Sequence, residues 1–166
     1  ASSSRKLIQL HKTWGKSGHT LPVTTMAFHR SNIFLATASV DGSVRIWDVA
    51  SGALLLSLTG HSSDIWSVRW SPAGNMIASG ASDGTVKLWN AQSGELLYNL
   101  EAHAAPVWAL SWSPNGEQLA SIGAPLTSIM ATMTPALGEF GSMITFCPSS
   151  AASRSSTSKA TWGTVF

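Results

Sequence analysis

Two nine-residue stretches of this 166-residue chain, VDGSVRIWD (Val40–Asp48) and SDGTVKLWN (Ser82–Asn90), are near copies offset by 42 residues. The same offset relates His19, His61 and His103, then Asp41 and Asp83, then Trp47 and Trp89. Around them HTLPVTTMAF, HSSDIWSVRW and HAAPVWALSW repeat in register, as do IFLATAS, MIASGAS and EQLASIG. Self-similarity at a fixed period of this length marks a tandem array whose units bury their apolar faces against one another.

Within a unit the text reads as short strands broken by turns. DIWSVRW is aromatic and β-branched, SPAGN is a turn, MIASGAS is a second strand, and SDG is a tight turn in which Gly84 is free to take positive φ. TVKLWN alternates, with Val86 and Leu88 on one face and Lys87 and Trp89 on the other, and AQSGELLYNL supplies a further turn and a fourth strand. Four antiparallel strands per 42 residues is the composition of one propeller blade.

These residues resemble the WD-repeat β-propeller family: Gly18-His19 and Gly60-His61 match its GH pair, Ala102-His103 is a degraded copy, and Trp47-Asp48 and Trp89-Asn90 stand at its WD position. The expected fold is all-β, a partial propeller of about two and a half four-stranded antiparallel blades with a poorly ordered C-terminal tail. The expected division is a basic lead-in at 1–17 that fits the last strand of a preceding blade, repeats at 18–59 and 60–101, the first half of a third at 102–121, and a non-repeat tail at 122–166. The resemblance implies a structural tetrad in each blade. By position it is His19, Thr37, Asp41 and Trp47 in the first and His61, Ser79, Asp83 and Trp89 in the second. In the third only His103 and Ser121 are in register.

The third copy fails abruptly. Pro125 stands where the turn Asp belongs, Ala131 stands where the Trp belongs, and the last 45 residues hold 15 Ser or Thr and only three charges, Glu139, Arg154 and Lys159. Such a composition is that of a weakly ordered segment. The abruptness reads as a reading-frame change or retained intron inside the third blade, and one functional reading is accordingly a truncated product without function.

Charge and cysteine content bound the setting. The chain is 44% hydrophobic and 11% charged, with net charge +2. Residues 1–49 carry six Lys or Arg against two Asp, whereas 50–121 carry two against five acids. The basic lead-in makes Arg5, Lys6, Lys12 and Lys16 candidate RNA contacts. The single cysteine, Cys147, precludes an internal disulfide and fits a reducing compartment. The N-terminus lacks an apolar signal core, and Pro125 and Pro135 interrupt the uncharged stretch 119–138. The expectation is an intracellular protein, cytoplasmic or nuclear, without a membrane partner.

Catalytic readings fail on context. Gly80-Ala81-Ser82-Asp83-Gly84 has the spelling of a nucleophile elbow, but a strand follows where that motif requires a helix. Ser156-x-x-Lys159 lacks the motifs that would make it an acylating serine, and neither zinc spacing nor a phosphate loop occurs. The expectation is no catalytic residue, no metal and no cofactor.

What remains is binding. The resemblance implies a partner-recruiting face formed by Pro22, Thr24, Val40, Asp64, Trp66, Ser82, Pro106 and Trp108, and hence a scaffold that assembles proteins or peptides. Trp66 with Asp64 would suit an Arg- or Lys-bearing peptide. Plain alternation instead puts Trp66 with Val68 and Trp70 on one inward face. The first repeat is also similar to the transducin-beta-like scaffolds of the small-subunit processome, which implies an RNA-associated assembly factor in ribosomal RNA processing and a nucleolar location. Open blade edges offer a route to self-association.

Overall fold

The computed structural model describes residues 18–123 in full, with the strand backbones of 128–131 and 144–146 beyond them. The lead-in at 1–17, with the strand of a preceding blade read there, and the remainder of 124–166, with the expected weakly ordered tail, lie outside the described residues.

Among the described residues twelve strands form three four-stranded antiparallel sheets, each a meander in chain order. The first contains β1 (Val23–Phe28), β2 (Phe34–Ser39), β3 (Ser43–Asp48) and β4 (Leu54–Thr59). The second contains β5 (Ile65–Trp70), β6 (Met76–Ala81), β7 (Thr85–Asn90) and β8 (Leu96–Glu101). The third opens with β9 (Val107–Trp112) and β10 (Leu119–Gly123), which runs two residues past the repeat boundary at Ser121. Two short strands from the tail, β11 (Ser128–Ala131) and β12 (Ile144–Phe146), extend the same sheet. A strand edge is a row of unpaired N–H and C=O groups, and any extended segment can pair with it without keeping repeat register.

The first strands of the sheets, β1, β5 and β9, stack in succession and bring the sheets face to face. Ala36, Ala38, Val44, Ile46 and Leu58 of the first sheet pack on Ile65, Val68, Ile77 and Trp89 of the second. Ala78, Val86 and Leu88, on the opposite face of the second sheet, pack on Val107, Leu110 and Leu119 of the third. Both faces of the middle sheet are thus buried, which is why β7 is closed to water along Val86–Trp89 even though Lys87 lies among those residues. The Lys87 ammonium is met by a 2.6 Å hydrogen bond to Asn99 Oδ1.

Polar links cross the same interfaces. Trp70 Nε1 donates to the Ala27 carbonyl at 2.9 Å, and the Leu110 amide donates to Ser67 Oγ at 3.1 Å. The Thr24 hydroxyl donates to the Ile65 carbonyl.

One irregularity recurs in all three sheets. Pairing of β1 with β2 skips Thr24, that of β5 with β6 skips Trp66, and that of β9 with β10 skips Trp108. A bulge of this kind places two residues opposite one and resets the alternation of faces. It corrects the inward placement that plain alternation gives Trp66: Ile65, Ser67 and Val68 are buried, and Trp66 is exposed. A second bulge, on the outer strands, skips Leu55 and Leu97 and leaves both exposed.

Candidate functional site

The described residues offer two constellations, a buried polar relay within each blade and an exposed face built on the bulges. The relay of the second blade is fully directional. Trp89 Nε1 donates to Ser79 Oγ at 2.8 Å, and Ser79 Oγ lies 2.7 Å from His61 Nε2. His61 Nδ1 lies 3.2 Å from Thr85 Oγ1, whose hydroxyl donates to Asp83 Oδ1 at 2.7 Å. Because the Thr85 hydroxyl gives its proton to Asp83, it accepts from His61 Nδ1–H, and the neutral imidazole then takes the Ser79 hydroxyl proton at Nε2. Burial, followed by the nearby Lys87 ammonium, lowers the His61 pKa from 6.5 to about 4, against the opposing pull of Asp83.

The sequence reading has Asp83 accepting from the imidazole. Among the described contacts the Thr85 hydroxyl stands between them. Burial alone would raise the Asp83 pKa, but hydrogen bonds from the Thr85 hydroxyl and amide and from the Ser62 hydroxyl, with His61 nearby, together lower it to about 2.

The first blade closes more tightly. Trp47 Nε1 donates to Thr37 Oγ1 at 2.8 Å, Thr37 Oγ1 lies 2.8 Å from His19 Nε2, and His19 Nδ1 meets Asp41 Oδ2 directly at 3.0 Å. Ser43 repeats the part played by Thr85, with its hydroxyl donating to Asp41 Oδ1 at 2.6 Å and lying 3.2 Å from His19 Nδ1. Burial opposes ionisation of Asp41, yet the Ser43 hydroxyl and amide, the Thr20 amide and His19 hold its carboxyl well below the usual carboxylate range. Ser43 and Thr85 were missed from sequence, although a hydroxyl two residues after the turn Asp in both full repeats was the available signal.

In the third blade the relay is cut. His103 Nε2 lies 2.8 Å from Ser121 Oγ, while the buried Nδ1 has no partner among the described residues. The register position of the turn Asp is Pro125, which carries no acceptor side chain. Burial lowers the His103 pKa.

Acid is therefore expected to loosen the array. The unfolded chain binds more protons than the folded one wherever a folded pKa is depressed, so stability rises with pH there. The His61 contribution is complete above about pH 6.5 and is lost as pH falls toward about 4, and His103 acts in the same direction. The Asp83 contribution is lost between about 3.8 and about 2. Thermal midpoints recorded across pH 7 to pH 3.5 should fall through the first window, and a level profile there would contradict the neutral His61 relay.

The exposed face lies over the bulges. Trp66 is 38% exposed and Trp108 is 52% exposed, with ring centroids 5.9 Å apart and planes inclined by 36°. Trp66 Nε1 donates to Ser82 Oγ at 2.6 Å, which fixes the indole, and the Ser82 amide donates to the Asp64 carbonyl at 2.8 Å. Asp64, Trp66, Ser82 and Trp108 are thereby brought together. In the first sheet the Val40 amide donates to the Pro22 carbonyl at 3.1 Å, with Pro22 exposed and Thr24 and Val40 half-buried. Pro106 is half-buried two residues before Trp108. Arg5, Lys6, Lys12 and Lys16 lie outside the described residues.

Gly80 and Ala81 end β6 and Ser82–Gly84 forms the turn to β7, and the Ser82 hydroxyl is engaged with the Trp66 indole. Among the described residues no group of three His, Cys, Asp or Glu could hold a metal ion, and no helix is long and apolar enough to cross a membrane. A cleft of about 750 Å³ between the first two sheets is lined mainly by apolar residues such as Phe34, Leu55, Trp70, Met76 and Leu97. Its one titratable lining residue, His29, has Nδ1 engaged with Ser31 Oγ at 2.7 Å.

Comparison with known proteins agrees with this geometry. The family model "WD domain, G-beta repeat" matches residues 9–48, 52–90 and 94–124. Over 46 residues, 28% of this chain and 11% of the relative, the chain is 46% identical to a Lissencephaly-1 homolog of Monosiga brevicollis. Over 45 residues, 27% of this chain and 14% of the relative, it is 42% identical to COMPASS component SWD3 of Saccharomyces cerevisiae. Over 34 residues, 20% of this chain and 4% of the relative, it is 56% identical to Transducin beta-like protein 3 of Bos taurus. The matched segments thus cover a small part of each relative's own length.

Proposed function

Because the chain belongs to the WD40 repeat family, whose members are generally non-catalytic scaffolds for protein–protein interaction, we propose that it is part of a larger propeller that assembles multiprotein complexes and performs no catalysis itself. The observation that carries this reading is the exposed Trp66–Trp108 pair. Two adjacent exposed indoles, one already held by Ser82, form an anchor with little side-chain entropy left to lose on binding, the type of residue that dominates interface energetics. Asp64, two residues before Trp66 in the chain, adds an acid to this surface, which suits a peptide bearing Arg or Lys whose cation can lie over an indole face.

The test is a binding panel of Arg- and Lys-bearing peptides against the chain and against Trp66→Ala and Trp108→Ala. Loss of an interface anchor of this type costs about 2 kcal/mol or more, roughly 30-fold in affinity. Trp108 is the more exposed, so Trp108→Ala should change stability by only about 0.5 kcal/mol, while Trp66→Ala also loses the hydrogen bond to Ser82, about 0.5–1.5 kcal/mol more. Equal binding by wild type and both variants would reject the face. A large loss of stability in Trp66→Ala would instead give the ring a structural role.

A second reading, an RNA-associated assembly factor in ribosomal RNA processing, draws support from the likeness to Transducin beta-like protein 3 and from the basic lead-in. It requires binding to structured RNA that weakens steeply with salt and is lost when Arg5, Lys6, Lys12 and Lys16 are neutralised together. It also requires nucleolar localisation.

A further inference from the structure

The bulged positions Thr24, Trp66 and Trp108 stand one period apart, each skipped by the pairing of the first two strands of its sheet. In the second and third sheets this position carries an indole, and the two rings touch, with centroids 5.9 Å apart and planes inclined by 36°. A flat group slotted between two rings needs about 7 Å, twice the van der Waals spacing, so the gap between Trp66 and Trp108 admits none. With Trp108 against one side, Trp66 is still 38% exposed, and that surface is what remains for a partner.

The first sheet breaks the row. Its indole position is Thr24, whose hydroxyl donates to the Ala38 carbonyl of its own sheet at 3.2 Å and to the carbonyl of Ile65, the chain neighbour of Trp66. These bonds hold a short side chain down between the two sheets, next to Trp66 and with no ring to lay against it. The equivalent of Ser82 there is Val40, apolar and half-buried, which has no hydroxyl of the kind that fixes Trp66. The place that Trp108 takes beside Trp66 therefore has a counterpart over Thr24, one period earlier, that no ring among the described residues fills. All eight strands of the two sheets that bound it are described, so this place does not depend on where the array begins or ends.

Charge decides which flat group fits. The turns on this side, 18–22, 40–42, 60–64, 82–84 and 102–106, carry Asp41, Asp64 and Asp83 and no Lys or Arg. The Asp41 and Asp83 carboxyls, both with lowered pKa values, are ionised at neutral pH. A guanidinium answers both demands, because it is planar, stacks flat on an indole and is weakly hydrated, whereas an ammonium is a compact and strongly hydrated point charge. On the reading that this face recruits peptides, we propose that it selects arginine over lysine, the guanidinium of the partner stacking on Trp66 from the Thr24 side while Trp108 backs the ring from the other.

The test titrates the full chain, its tryptophans isotope-labelled, with capped glycine pentapeptides that carry a central arginine, lysine, trimethyl-lysine or citrulline. The arginine peptide should bind about fivefold or more tighter than the lysine peptide. Trimethyl-lysine should gain nothing over lysine, since no cage encloses it, and citrulline, planar but neutral, should fall below arginine. The Trp66 indole N–H signal, identified by its loss in Trp66→Phe, should move with the arginine peptide. Thr24→Trp fills the place with a ring of the chain's own and should lower arginine affinity about tenfold, while Thr24→Val removes the hydroxyl at nearly constant size and should leave it unchanged. Equal affinity for arginine and lysine, which needs no variant to fold, or undiminished arginine binding by a folded Thr24→Trp, would overturn the selection and leave the peptide-recruiting face standing. Binding of none of the peptides, with no shift at Trp66, would overturn both.

Discussion

Trp89→Ala is expected to cost about 3–5 kcal/mol, the range for truncating a fully buried aromatic side chain, a large share of a typical domain stability of about 5–15 kcal/mol. Trp89 is among the largest fully buried side chains of the chain and belongs to the core between the first two sheets. Its indole edge lies against Gly60, where an added Cβ would stand 3.2 Å from the ring, and its ring faces His61 with centroids 6.3 Å apart. Removing it opens a cavity that two sheets must share and withdraws the proton donor from Ser79 at the head of the His61 relay. Trp89→Phe separates these effects, since it keeps most of the volume and loses only the hydrogen bond, worth about 0.5–1.5 kcal/mol. Denaturant unfolding followed by circular dichroism measures both. Similar losses for the two variants would mean that the polar relay, not packing, holds the interface.

Gly84→Ala should be nearly as damaging although it adds only one carbon. Gly84 has φ +82, and an added Cβ would lie 2.0 Å from the backbone oxygen of His103 in the next blade. The left-handed conformation alone costs a non-glycine residue about 1–3 kcal/mol. The overlap cannot be relieved by a rotamer change, because the opposing atom is backbone and the His103 amide is bonded to the Gly84 carbonyl at 3.0 Å. Together the two effects should bring the loss to about 4 kcal/mol or more, in the exceptional range for a point substitution. Gly52→Ala is the control. It shares the positive φ, at 71°, but nothing lies within 4 Å of an added Cβ, so it should show the backbone penalty alone. Equal losses at the two positions would refute the role assigned to the contact between blades.

Most of the strand order was legible because each strand is specified locally. Apolar alternation over six residues and turns with glycine at a left-handed position, as at Gly42 and Gly84, are written within a dozen residues of chain. The 42-residue offset then carries the His, Ser or Thr, Asp and Trp that the resemblance implies from one repeat to the next without reference to space. Ser43 and Thr85 escaped because a hydroxyl beside an Asp is ordinary turn composition until the imidazole that completes it is placed by residues some 24 positions away.

The orientation of Trp66 was not legible in the strand alone. Alternation would have buried it, and the bulge that turns it out is a property of the pairing between β5 and β6. Likewise, burial on both faces of β7 follows from two neighbouring sheets and not from TVKLWN, where Lys87 reads as a solvent residue.

The sequence by itself determined the repeat and the strand and turn pattern, because period and propensity act through bonds to near neighbours, and its resemblance to the repeat family supplied the His, Ser or Thr, Asp and Trp of the relays but not Ser43 or Thr85. Tertiary structure alone decided which faces are closed and which are open. The same apolar positions are buried at Val68 and Leu110 and exposed at Met26, since burial depends on whether a second sheet arrives, and no strand encodes its own neighbour.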